Sequence, residues 1–202
     1  GDPQYDVIMQ DIAKRRVNKL EDISPEVQAM LRFASFGIPR AYLTMLEEFQ
    51  RGDFKTMQQG INKIIHEHLE ARLAEFHSLG KKVPKFEYLI EAGEKVLNVA
   101  AKEIKLQNEK LIARRQKLLT FGVKEDDLTP MVDRMFKLLV EAGLIYDEGN
   151  VKHGTPVRIY RRFIPHTSLL LSIGVFNSGE AGGSIKQTLD VIAFKTTKHP
   201  LR

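Results

Sequence analysis

Apolar residues recur along the first half of the chain at the three- and four-residue spacing of amphipathic helices, punctuated by Pro and Gly. Residues 5–20 put Val7, Ile8, Ile12 and Leu20 near one helical face, with Lys14, Arg15, Arg16 and Lys19 mostly opposite. Ser24-Pro25-Glu26 provides an N-cap, a proline at the first helical position and an acidic first turn, so a second helix is predicted through Val27, Met30, Leu31 and Ala34. Gly37 ends it, and Pro39 starts a third that runs through Tyr42, Leu43, Leu46 and Phe49 to Arg51-Gly52. Met57, Ile61, Ile64, Ile65, Leu69, Leu73 and Phe76 predict a fourth helix over about 54–79, closed by Gly80. Lys81 to Lys85 reads as a connection, because Pro84 disfavours helix at Val83, and a domain boundary is placed there.

Beyond Phe86 a long helical pattern on Leu89, Val96, Val99, Ile104, Leu111 and Ile112 extends to near Leu119. The pattern then changes. Glu125-Asp126-Asp127-Leu128 is a short helix or turn, and Thr129-Pro130 caps a helix on Val132, Met135, Phe136, Leu139 and Val140 that stops at Gly143. Leu144 to Asp147 and the alternating Val157–Ile164 are strands, separated by a turn-rich stretch from Glu148 to Pro156. Leu169–Phe176 has the length of a strand or a short buried helix, Asn177–Ser184 is a Gly/Ser linker, Ile185–Phe194 pairs or packs again, and Lys195–Arg202 is a basic tail expected to fray. The expected fold is mainly α with a small β component, divided into 1–80, 81–176 and a linker with a tail or extra strand over 177–202.

Composition narrows this. With 43% hydrophobic and 28% charged residues the chain has the make-up of a folded globular protein. No Cys is present, which excludes disulfides, thiolate metal sites and a cysteine nucleophile. No apolar run approaches the roughly 18–20 residues of a membrane span, so no membrane partner and a cytoplasmic location are expected. The net charge of +5 is uneven: residues 1–100 hold 14 Lys/Arg against 15 Asp/Glu, and residues 101–202 hold 17 against 11. The second half is therefore the one suited to a polyanion. The chain begins Gly1-Asp2-Pro3 without Met, and a fragment of a larger protein is expected.

Within residues 5–51, an amphipathic helix with Ile12 and Arg15-Arg16 is followed by Phe33-Ala34-Ser35-Phe36-Gly37-Ile38-Pro39-Arg40, then Leu43 and Leu46. This segment resembles the lid subdomain of AAA+ ATPases, especially the clade of replication initiators and the origin recognition complex. In that family a Ser-Gly-Gly-x-Pro-Arg-like turn opens the helix bearing the sensor 2 arginine, and Arg40 stands at the matching position. Phe36 departs from the family, which usually has a small residue there, often Gly. The resemblance implies that Arg40 reaches the γ-phosphate of an ATP held by a core domain in cis. ATP and Mg would belong to the full-length protein, no cofactor to this fragment, and a homo-oligomer is compatible with it. An Arg in a first helical turn suits that role, since its guanidinium and the exposed N–H groups converge on one anion.

Residues 86–166 resemble a winged-helix domain, on Met131-Val132-Asp133-Arg134-Met135-Phe136-Lys137-Leu138-Leu139-Val140-Glu141-Ala142-Gly143-Leu144-Ile145, a recognition helix ending in a Gly-Leu-Ile turn into a strand. The resemblance makes Asp147–Pro156 the wing and double-stranded DNA the partner. Arg134 and Lys137 on the helix, with Lys152, His153, Arg158, Arg161 and Arg162 on the wing and its flanks, are the candidate DNA-binding residues. No acidic residue occurs from Gly149 to His166, a composition that suits phosphate. Strand alternation puts Arg158, Tyr160 and Arg162 on one face and Ile159, Arg161 and Phe163 on the other.

Catalytic and metal chemistry find no support. His66 and His68, two apart on a predicted helix, do not face each other. There is no Gly-x-x-x-x-Gly-Lys-Ser/Thr loop, and no catalytic residue is assigned. The chain thus reads as the C-terminal part of an initiator-like ATPase that couples nucleotide state to DNA binding. Two alternatives stand beside it: a winged-helix transcription regulator, and a protein-interaction adaptor.

Overall fold

Helices start where capping residues stand. In the computed structural model, which describes residues 3–155, 157–177 and 184–201, the hydroxyls of Ser24 and Thr129 accept from the N–H groups of Val27 and Val132, each one residue ahead of a proline. The N-terminal bundle comprises α1 (Pro3–Arg16), α2 (Pro25–Ala34), α3 (Pro39–Arg51) and the 26-residue α4 (Met57–Lys82). Helices α5 (Glu87–Leu111), α6 (Pro130–Glu141), α7 (Thr167–Ser172) and α8 (Ile185–Ala193) follow. Strands β2 (Phe121–Lys124), β3 (Ile145–His153) and β4 (Arg158–Pro165) form an antiparallel sheet in the order β2-β4-β3, and β1 (Gln116–Lys117) pairs in parallel with β5 (Lys195–Thr196). The chain is mainly α with a small β component, and among the described residues no helix is long and apolar enough to cross a membrane.

Two hydrophobic clusters fill the interior. One gathers Val27, Met30, Leu31, Tyr42, Leu46, Ile61 and Ile65 from α2–α4, and the other gathers Leu69, Phe76, Leu97, Ile104, Phe136, Leu139, Phe163 and Leu170. The line between the two clusters falls inside α4, between Ile65 and Leu69. A continuous helix has one face over many turns, so its first half serves one core and its second half the other.

Several expectations change. On α1 the buried residues are Met9 and Ala13, with Val17 following, while Val7 and Ile8 are exposed. Helix α5 ends at Leu111 instead of near Leu119, because buried Asn108 exchanges hydrogen bonds with the Leu118 backbone through both its amide atoms and draws that segment back as β1. The expected loop from Glu148 to Pro156 is mostly strand. A β-bulge at Glu148 lets β3 run on to His153, with Gly149 at φ +81° and its N–H donating to Asp147. Of the two alternatives open for Leu169–Phe176, the short buried helix is the one found, as residues 169–172 belong to α7 and Leu169 and Leu170 are buried.

The C-terminal segment is held. A capping box between Ser184 and Gln187 starts α8. The tail expected to fray pairs with β1, Thr197 N–H donates to Lys117 O, and Leu201 exchanges backbone hydrogen bonds with Thr120 and Gly122. Of the linker expected over Asn177–Ser184, residues 178–183 lie outside the described residues, as does Pro156 of the expected wing.

Candidate functional site

Arg40 is exposed at the second position of α3. The N-cap residue Ile38 contributes no side-chain cap, and Pro39 has no N–H, so the N–H groups of Arg40 and Ala41 open the helix. The preceding turn is left-handed at two consecutive residues, Phe36 at φ +54° and Gly37 at φ +81°. A left-handed conformation of this kind favours glycine, and Phe36 adopts it as a non-glycine residue.

That turn is fastened to the end of the β3–β4 hairpin. Thr167 Oγ1 donates to Phe33 O at 2.6 Å, and Ser168 Oγ donates to Ala34 O at 2.9 Å, so the first residues of α7 satisfy the last carbonyls of α2. The Phe36 ring lies 4.7 Å from the imidazole of His166, which is fully buried. His166 Nδ1 accepts from Ser168 N–H, and its Nε2 is buried without a partner. Next to it, His68 accepts at Nε2 from Arg72 Nε at 3.1 Å. Burial, then the positive charge of Arg72, pushes His68 down to about 4 and His166 to about 2. Both imidazoles are neutral. Among the described residues, no group of three His, Cys, Asp or Glu side chains is placed to hold a metal.

The candidate DNA-binding residues divide into two groups. On the side of the sheet that faces α6, Arg161 is tied to Asp133 at 2.6 Å and to Asp147 at 2.6 Å, and Lys137 to Asp133 at 2.7 Å. Lys137 foremost, with Arg161, holds the Asp133 carboxyl below its usual range. Burial of Asp147 works the other way and is outweighed by Arg161 and the Gly149 N–H, so its carboxyl too is lowered. Arg161 is therefore the centre of an ion network that joins α6 to the hairpin. Arg134 is exposed, with its guanidinium 4.8 Å from the Phe86 ring centre. Lys152 is exposed on β3.

On the opposite side, the alternation expected for β4 holds: Phe163 and Arg161 face α6, while Arg158, Tyr160 and Arg162 face away. Arg162 lies 2.5 Å from Glu148, an ion pair without hydrogen-bond alignment, and reaches Lys198 O. The bulge that inserts Glu148 supplies its counter-charge. Arg158 is exposed at the hairpin tip, and the His153 ring meets that of His199 at 4.6 Å. Lys124, Lys195, Lys198 and His199 were missed among the sequence candidates, because only the docked tail brings Lys198 and His199 to the hairpin and pairs Lys195 with β1.

Compared with family models, curated proteins and solved structures, the chain matches none.

Proposed function

We propose that this chain is the lid and winged-helix part of an initiator-like AAA+ ATPase, in which Arg40 senses nucleotide held by a core domain and the hairpin region binds duplex DNA. The observation that carries the reading is a connectivity. After α5 and the short β1, a strand, a helix and a hairpin follow as β2-α6-β3-β4, with the sheet order β2-β4-β3, a connectivity that supports a wing formed by the β3–β4 hairpin. The fastening of the Phe36 turn to α7 supports coupling, since displacement of α3 by a nucleotide would strain hydrogen bonds at the foot of the hairpin.

The test is anisotropy of a labelled duplex titrated with the chain over a salt series. Affinity should fall steeply with salt, by about one unit of log–log slope per phosphate neutralised. Affinity indifferent to salt, or none, would favour the adaptor reading. One observation speaks for that second reading. The outer side of α6 combines exposed Met131 with Glu141 and follows the acidic Glu125-Asp126-Asp127, a surface better matched to a protein than to a phosphate backbone.

A further inference from the structure

We infer that duplex DNA is gripped by the face of the β2-β4-β3 sheet on which the C-terminal tail lies, not by α6, with Lys124, Arg158, Lys195 and Lys198 as the phosphate-binding side chains. This rests on the DNA-binding reading and names the face that serves it.

Register fixes which residues share that face. Lys124 stands opposite Tyr160, Gly122 opposite Arg162, and His153 opposite Arg158, and paired residues of an antiparallel ladder project to the same side. The tail crosses this side. Pro200 packs so closely on Gly122 that a Cβ there would come within 3.1 Å of its ring. Tyr160 is buried, the His199 ring abuts His153, and Arg162 donates to Lys198 O. Lys198 and His199 are thereby held, exposed, beside the hairpin, and Lys195 stands three residues earlier on β5.

Charge pairing differs between the two sides, although Arg162 on the tail side is paired with Glu148, and Arg134 and Lys152 on the α6 side make no ion pair among the described residues. Among the described residues Lys124, Arg158, Lys195 and Lys198 make no ion pair, whereas Lys137 and Arg161 on the α6 side are both committed to carboxylates. An unpaired surface cation meets a phosphate with release of counterions alone, while a paired one first gives up its partner. The α6 side carries a second handicap. The end of a recognition helix that enters a groove is its N-terminus, and here three consecutive carboxylates, Glu125 to Asp127, precede it. Phosphate contacts from lysines carry no base information, so binding through the tail face is sequence-tolerant.

Paired substitutions in the full chain test this by duplex anisotropy, with thermal midpoints confirming that each variant folds. Lys195→Ala/Lys198→Ala and Lys124→Ala/Arg158→Ala should each weaken binding about tenfold at low salt and reduce the salt slope by about two. Lys195→Arg/Lys198→Arg should retain parental affinity, and Arg134→Ala/Lys137→Ala should change it less than about twofold. A tenfold loss in the α6 variant with unchanged affinity in the tail variant would overturn the face assignment while leaving DNA binding intact. A parent chain with no salt-dependent affinity would instead overturn the DNA-binding reading itself.

Discussion

Phe36 occupies a left-handed conformation that costs an L-residue about 1–2 kcal/mol, and its ring contact with His166 is what the structure offers against that cost. The contact joins a strained backbone to a group with its own restriction, since His166 is neutral at the bottom of the junction and its neighbour His68 is neutral as the acceptor for Arg72. In the unfolded chain both imidazoles take up a proton near pH 6.5, whereas in the fold they resist until about 4 for His68 and about 2 for His166. Below pH 6.5 the unfolded state thus binds more protons than the folded one. Stability falls as pH drops from 6.5 to 4 through both residues, and further towards 2 through His166 alone. His68→Gln keeps an acceptor for Arg72 and removes one of the two proton sites. Urea denaturation at pH 7 and pH 5 should show the acid-induced loss of stability reduced by about 2 kcal/mol in the variant, and an undiminished loss would show that His68 is not held neutral.

The helix-and-hairpin signals were strongest where local chemistry decides. Ser24-Pro25, Pro39 and Thr129-Pro130 mark three helix starts because capping is settled within four residues. Strand β1 was illegible, and β5 was legible only as the open alternative of an extra strand over 177–202, since two residues carry no periodicity and each exists only through a partner about 80 positions away. Asp147-Glu148-Gly149-Asn150 has the composition of a turn and is a bulge, a difference only cross-strand pairing reveals. The candidate site shared this division. Basic residues are visible in a sequence, but the carboxylates that occupy Arg161 and Arg162 come from Asp133, Asp147 and Glu148, placed by tertiary packing. The docking of the tail turns on one such nonlocal group. Buried Lys117 donates through Nζ to Ile192 O and Phe194 O at the end of α8, where a cation also opposes the negative helix terminus. In Lys117→Met those carbonyls lose their donor, at a cost of about 1–3 kcal/mol. Hydrogen exchange should accelerate across residues 184–201 more than in β3 and β4, and uniform acceleration would mean that α8 and the sheet open as one unit.

At the level of the molecule, α4 and α8 decide whether the two clusters are separate domains. Leu69 and Phe76 of α4 belong to the C-terminal cluster although they precede the apparent linker, and Ile185, Leu189 and Ile192 of α8 pack against the N-terminal cluster although they come last in sequence. Hydrogen bonds from Thr167 and Ser168 to the end of α2 close the circuit. A chain divided at residue 80 would leave the first piece with an apolar half-helix exposed and the second without the residues that cover its core, and each buried side chain so exposed forgoes about 1.5–3 kcal/mol. Neither piece should fold alone. For the same reason the intact chain should unfold in one cooperative transition, with far-ultraviolet dichroism and tyrosine fluorescence sharing a midpoint. Two resolved transitions, or a folded 1–80 piece with a sharp melt, would show that the clusters are independent and that the proposed nucleotide-driven movement of α3 has no rigid path to the hairpin. A single transition would instead mean that displacing the Arg40 helix loads the whole junction, including the carbonyls of Phe33 and Ala34 on which α7 and the hairpin are hung.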